Sequence, residues 1–122
     1  MRCQQFEDLP VWNSGIQLAA EVYSLTERVE FQKRYSIRDQ VECAAVSVPN
    51  NIAEGFERGT NQEFLTFLYI ARGSAGKVRS MLSLLDEIPA FRNLESEIRN
   101  LKARTNSISN RPKSSFDLRE NA

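Results

Sequence analysis

The chain of 122 residues contains no histidine. This absence removes the commonest general base, the usual activator of serine and cysteine nucleophiles, and the commonest metal ligand. It also excludes the Glu-x-x-His motifs with which some four-helix bundles bind paired metal ions. The sequence offers Glu54, on the most polar helix face, no obvious catalytic partner. We therefore expect no enzymatic activity, no cofactor or metal, and no small-molecule substrate.

Cysteine and long apolar runs are also scarce. Cys3 and Cys43 lie far apart and match no metal-binding spacing, so two unpaired thiols are expected rather than a disulfide. No stretch approaches the roughly 20 apolar residues of a membrane span. The first ten residues contain no apolar segment of the kind found in secretory signals. These features predict a cytoplasmic protein that does not bind membranes.

Neither sign of charge prevails, because sixteen basic residues balance sixteen acidic ones. Overall charge therefore does not mark the chain as a nucleic-acid or membrane-surface protein. The apolar fraction of 41% and the charged fraction of 26% are typical of a globular domain. A chain of this length fits one domain.

Four segments carry apolar residues at helical spacing, at residues 10–28, 37–56, 61–85 and 93–108. The connections between them are short, and short connections make neighbouring helices antiparallel. The predicted fold is all-α, an antiparallel up-and-down four-helix bundle. We expect residues 1–108 to form the bundle domain. Residues 109–122 are polar, and we expect them to be a disordered tail.

Start signals precede three of the four segments. Capping side chains are predicted at Asp8 before the first, at Ser36 with Asp39 before the second, and at Thr60 with Glu63 before the third. Pro10 suits the first turn of the first helix. Gly59 suits a left-handed helix end.

Proline and glycine inside the helices raise two further expectations. Pro49 lies within the second segment, and the apolar pattern continues in phase beyond it, so it should kink the helix without ending it. Pro89 interrupts the chain before the fourth segment. Gly73 and Gly76 lie within the third segment, where each costs roughly 1 kcal/mol relative to alanine. This cost favours close approach by a neighbouring helix, although mere tolerance is the alternative.

A polar strip follows the second helix. At about 100° per residue, its members share a sector about sixty degrees wide beside the apolar stripe: Gln40, Ser47, Asn51, Glu54 and Arg58. The strip has two interpretations. It is either the solvated edge of an amphipathic helix or a partly buried hydrogen-bond network that sets helix register or an interface.

A basic segment covers residues 98–115, where no acid occurs. Its basic residues are Arg99, Lys102, Arg104, Arg111 and Lys113. They favour the C-terminal end of a helix dipole, and they also suit contact with the phosphates of a nucleic acid.

Several motifs occur in a fixed order along the chain. They are Phe6-Glu7-Asp8-Leu9 with Val11-Trp12, then Gln40, then Ser47-Val48-Pro49-x-Asn51-Ile52-Ala53-Glu54-Gly55, then Ala71-Arg72-Gly73-Ser74. Together they resemble the four-helix bundle proteins encoded in intervening sequences of bacterial 23S ribosomal RNA genes. That family includes the accessory variability determinant of diversity-generating retroelements. The resemblance covers about residues 5–108.

The resemblance implies a four-helix bundle that commonly assembles as a ring-shaped homopentamer. It places the polar strip, with Pro49, Gly55, Gly73 and Ser74, at the family's characteristic positions and so favours a structured network. The intervening-sequence members have no established activity. The retroelement accessory resembles a basic, nucleic-acid-binding partner of a reverse transcriptase.

The chain departs from the family pattern at two places. Glu42 and Cys43 stand where relatives usually have a basic pair, and Lys77 stands where they usually have an acid. The first change removes positive charge from the second helix. The second suggests a rearranged salt bridge in which Glu42 supplies the exchanged charge.

Two functions of different classes follow from these features. The first is a non-enzymatic oligomeric scaffold or interaction protein. The alternative is an accessory protein that binds structured RNA or DNA. Self-association is expected in either case, because the apolar stripe of the first helix is wide and Val46, Ile70 and Leu84 lie off the core stripes.

Overall fold

A computed structural model describes residues 4–108. Four helices carry the fold: α1 (Pro10–Thr26), α2 (Tyr35–Glu57), α3 (Asn61–Asp86) and α4 (Glu95–Ile108). Three short 3₁₀ segments connect or precede them, at Phe6–Asp8, Val29–Phe31 and Pro89–Leu94. No strand occurs within residues 4–108. The all-α prediction is confirmed, and residues 109–122, with the expected tail, lie outside the described part.

Side-chain contacts establish the up-and-down topology. Thr26 at the end of α1 bonds to Glu42 near the start of α2, and Ser74 of α3 bonds to Ser47 of α2. Arg79 of α3 reaches Asn106 near the end of α4. Arg104 near the end of α4 contacts Glu21 of α1, and Glu97 near the start of α4 contacts Arg28, which lies just after the end of α1. Each helix therefore runs antiparallel to its neighbours in the order α1–α2–α3–α4.

The core lies along the four facing helix stripes. Leu18 and Val22 of α1, Val48 and Ile52 of α2, and Val78 and Leu82 of α3 have no exposed surface, and neither does Ile98 of α4. At one end the 3₁₀ segments add Phe31 and Phe91, whose ring centroids lie 4.7 Å apart. These segments close the bundle where the helices leave gaps.

The helix starts agree with the sequence in one case and differ in two. The Thr60 side chain accepts from the Glu63 backbone N–H and caps α3 as expected. At α1 the cap prediction was wrong, because Asp8 lies inside a 3₁₀ turn and Leu9 occupies the N-cap position. At α2 it was also wrong, because Ser36 lies within the helix and Arg34 precedes it.

Gly59 and Pro89 interrupt the helices as expected, and Pro49 does not end its helix. Gly59 has φ +91°, the left-handed conformation expected between α2 and α3. Helix α2 continues through Pro49 to Glu57. Pro89 starts a 3₁₀ segment through Leu94, so α4 begins at Glu95 rather than at position 93. Within residues 4–108, no helix is long and apolar enough to span a membrane.

Candidate functional site

Three side chains form a hydrogen-bonded cluster between α2 and α3. The Asn51 side-chain amide donates to the Ser47 carbonyl at 2.7 Å and to the Ser47 hydroxyl at 2.8 Å. The Ser74 hydroxyl donates to the Ser47 hydroxyl oxygen at 3.1 Å. All three residues are half-buried. The structured-network interpretation therefore applies to Ser47, Asn51 and Ser74.

The rest of the polar strip does not join this cluster. Gln40 is exposed and donates only weakly to Ser36, at 3.5 Å. Glu54 and Arg58 form an exposed ion pair at 3.0 Å. Arg58 also approaches Glu63 at 3.8 Å and lies over the Phe67 ring, 5.1 Å from its centroid. Gln40, Glu54 and Arg58 therefore form a solvated edge of α2. Arg58 also links the end of α2 to the start of α3.

Gly55 and Pro49 lie at close contacts between α2 and its neighbouring helices. A Cβ on Gly55 would overlap the Cβ of Phe67 on α3. Near Pro49, a Cβ on Gly15 of α1 would lie 3.2 Å from Val48 and 3.3 Å from the proline nitrogen. These positions of the family motif are therefore set by packing.

Gly73 and Gly76 do not have the packing role expected of them. A Cβ added at either position meets nothing within 4 Å, so the predicted close approach by a helix of the same chain was wrong. The two glycines instead form part of a surface depression of about 370 Å³. We call its lining residues the basic α3 face: Tyr69, Arg72, Gly73, Gly76 and Arg79.

The basic segment is largely neutralised where the structure describes it. Arg99 pairs with Glu95 at 3.0 Å, Lys102 with Asp86 at 3.3 Å, and Arg104 with Glu21 at 2.8 Å. Arg111 and Lys113 lie outside the described residues. The sequence missed these partners because two of the three acids lie on other helices.

A second exposed surface, which the sequence only partly indicated, lies on α1 and α2. Ile16 is 41% exposed and Tyr23 is 43% exposed, and Val46 of α2 is half-buried. Glu27 and Asp39 are also exposed, and so are the basic residues Arg28 and Lys33 between α1 and α2.

Glu42 does not form the salt bridge with Lys77 suggested by the sequence. It accepts from the Thr26 hydroxyl at 2.6 Å and approaches Arg38 at 3.6 Å. The suggestion was wrong because Glu42 is oriented toward α1, whereas Lys77 lies on α3. The acid thus joins α2 to α1 and leaves Lys77 exposed on the far side of the bundle.

A family model matches residues 7–114 of the chain, and its description is 23S rRNA-intervening sequence protein. The chain belongs to this family. Both the Ser47–Asn51–Ser74 cluster and the Gly55 contact fall within the matched range. No curated protein matches the chain.

The description of the 23S rRNA-intervening sequence family names no reaction and no bound group. Across residues 4–108, no group of three acids or cysteines is arranged to hold a metal ion. The Ser47–Asn51–Ser74 cluster joins helices and presents no nucleophile paired with a base.

Proposed function

We propose that the protein is a cytoplasmic, non-enzymatic scaffold that self-associates into a closed oligomer, with five copies as the family resemblance implies. The supporting observation is the pair of glycines on the basic α3 face. Each costs roughly 1 kcal/mol inside a helix, and no contact among residues 4–108 requires either one. Close approach of another molecule to this surface accounts for both glycines.

Exposed apolar side chains support the same proposal. Ile70 is 47% exposed and Leu84 is 46% exposed on α3, while Ile16 and Tyr23 are similarly exposed on α1. Ile16 and Tyr23 are two turns apart on one side of α1, and exposed apolar side chains aligned in this way suit protein–protein contact. In this role the Ser47–Asn51–Ser74 cluster maintains the relative position of α2 and α3, and therefore the shape of each protomer.

Light scattering coupled to size-exclusion chromatography tests this proposal. At micromolar concentration we expect a mass near five times the 13.9 kDa of one chain. Another stable multiple would support self-association but overturn the five-copy stoichiometry. A stable 13.9 kDa species would overturn the proposal as a whole.

Nucleic-acid binding is the second candidate function. It is favoured by the position of Arg79, which bonds to Asn106 at 2.8 Å and therefore adds positive charge beside the basic segment of α4. An oligomer would multiply this charge. Against it stand the ion pairs of Arg99, Lys102 and Arg104, since phosphates must compete with carboxylates already in contact.

A further inference from the structure

We infer that the basic α3 face binds a small phosphate monoester, with Arg72 and Arg79 as the residues that contact the phosphate. The inference goes beyond the proposed self-association and does not depend on it. The ligand is a compact dianion, in contrast to the phosphodiester backbone of a nucleic acid.

The two arginines of this face lack the acidic partners that other arginines of the protein have. Within residues 4–108, five arginines pair with a carboxylate: Arg28, Arg38, Arg58, Arg99 and Arg104. Arg79 instead bonds to the neutral side chain of Asn106 at 2.8 Å. Arg72 is half-buried and makes no hydrogen bond or ion pair with any residue of the described range. Two positive charges therefore remain unneutralised at this face.

Helix α3 itself offers no acid close to these charges. Between Glu63 and Asp86, its only charged residues are Arg72, Lys77 and Arg79. Asp86 lies about two turns beyond Arg79 and already contacts a lysine of α4. A negatively charged ligand would provide the partner that the helix does not.

Both arginines line the same depression. Their spacing along the sequence places them about 20° apart around the helix axis and about 10 Å apart along it. Gly73 and Gly76 lie between them and leave the floor of the depression open, because a Cβ at either position meets nothing within 4 Å. Tyr69 borders the depression and offers a hydroxyl donor. The volume of about 370 Å³ is in the range of small-ligand sites.

A phosphate monoester matches this arrangement in charge and in geometry. It carries about −1.5 to −2 charge near neutral pH and has three acceptor oxygens. Guanidinium groups bind such oxygens through paired hydrogen bonds in a fixed plane. A phosphate diester or a single carboxylate carries only a single negative charge and would leave one arginine without a partner.

Isothermal titration calorimetry with glycerol phosphate, at constant low ionic strength, tests the inference. Arg72→Gln and Arg79→Gln each remove one guanidinium group, and Arg72→Gln breaks no hydrogen bond or ion pair within residues 4–108. Lys77→Gln is the matched control, because it removes the same charge from an exposed position of the same helix. Lys77 lies about 140–160° around α3 from the two arginines. Circular dichroism first establishes that every variant is folded.

We expect the wild type to bind glycerol phosphate but not glycerol. Each arginine variant should bind the phosphate about tenfold more weakly, or weaker still, because it loses charge-assisted hydrogen bonds. The Lys77→Gln control should keep the wild-type affinity. Gly76→Leu places a side chain in the open depression and should abolish binding.

Two further probes decide the chemical class of the ligand. A dinucleotide with hydroxyl ends contains only a phosphate diester, and succinate is a dicarboxylate, so each should bind more weakly than glycerol phosphate. Equal or tighter binding of the dinucleotide would assign the face to a nucleic-acid backbone. Equal binding of succinate would indicate a general anion site. Either result overturns the inference.

Failure of the inference is distinguishable from failure of the proposed function. The phosphate and a second copy of the chain would both lie over Gly73 and Gly76, so light scattering measures the mass of the same samples with and without glycerol phosphate. An oligomer that does not bind the phosphate overturns the inference alone, and so does a Lys77→Gln variant that binds as weakly as Arg72→Gln. A 13.9 kDa species that binds the phosphate overturns only the self-association.

Discussion

Ser47 accepts hydrogen bonds from two directions, one from Asn51 within α2 and one from Ser74 on α3. The bond from Ser74 is worth about 0.5–1.5 kcal/mol, and it connects the two helices at one position along their length. Apolar side chains alone resist a sliding motion weakly, since one apolar contact replaces another. A directional bond between half-buried groups favours a single register.

Substitution of Asn51 tests the local part of this cluster. Asn51→Ala removes two donated bonds from a half-buried site, and we expect the free energy of unfolding to fall by about 1 kcal/mol. Asn50→Ala is the matched control at an exposed position, where alanine as the better helix former should leave stability unchanged or slightly higher. Urea denaturation measures the free energy of unfolding of both variants. Equal midpoints would indicate that Asn51 belongs to the solvated edge and not to a structured cluster.

Gly55 and Gly73 should respond oppositely to the same substitution. Gly55→Ala forces α2 and α3 apart at Phe67, and we expect a loss of about 1–3 kcal/mol in the free energy of unfolding. Gly73→Ala meets open space and improves helix propensity, so the dissociated chain should be as stable as the wild type or up to about 1 kcal/mol more stable. Chemical denaturation at low protein concentration makes the comparison. A destabilised Gly73→Ala chain would contradict the open environment.

At the scale of elements, the α2–α3 connection is the most strongly specified turn. Gly59 adopts the left-handed conformation, Thr60 caps α3, and Arg58 pairs with Glu54 and approaches Glu63 across the turn. The Thr60 hydroxyl also contacts the Glu63 carboxylate at 2.9 Å. These contacts hold two long helices antiparallel through a connection of three residues, so local signals suffice to define this hairpin.

Removing the cap should weaken the start of α3. Thr60→Ala leaves the Glu63 backbone N–H without its side-chain acceptor, and we expect a loss of about 0.5–2 kcal/mol in the free energy of unfolding. Thr66→Ala is the control, because Thr66 is exposed within the same helix and bonds only to the preceding turn. Thermal unfolding by circular dichroism compares the two. A larger loss at Thr66 would contradict the capping role.

At the scale of the whole molecule, charge is balanced in sum but uneven in distribution. Helix α3 is basic between its ends, and the basic residues of α4 that the structure describes contact acids of α1, α3 and α4. Net charge therefore reveals little about association.

Binding experiments can distinguish a nucleic-acid-binding role of the basic α4 residues from a role in ion pairs between helices. We expect weak, sequence-independent binding to a labelled structured RNA and a DNA duplex at low ionic strength, largely lost by about 0.2 M salt because phosphate contacts release counterions. Replacing Arg99, Lys102 and Arg104 with glutamine should abolish the anisotropy change without altering the oligomer mass.

A matched control keeps the positive charges but breaks the same ion pairs: Glu21→Gln, Asp86→Asn and Glu95→Gln. This variant should bind nucleic acid more tightly than the wild type, since the basic side chains no longer compete with carboxylates. If the wild type shows no binding at low salt, the second candidate function is wrong. Equal loss of binding in both variants would assign the effect to disrupted helix packing.

The sequence by itself determined the elements and their order, because helical periodicity, Gly59 and the Thr60 cap act over a few neighbouring residues. It also indicated the family motif that contains Ser47, Asn51 and Gly55. Only the tertiary structure decided which polar groups meet: Ser47 finds Ser74 from 27 residues away, whereas Gln40 on the same strip stays exposed. The same holds for the glycines, since helix propensity assigns Gly55 and Gly73 equal costs. The packing of α3 against α2 then buries one and leaves the other on an open face.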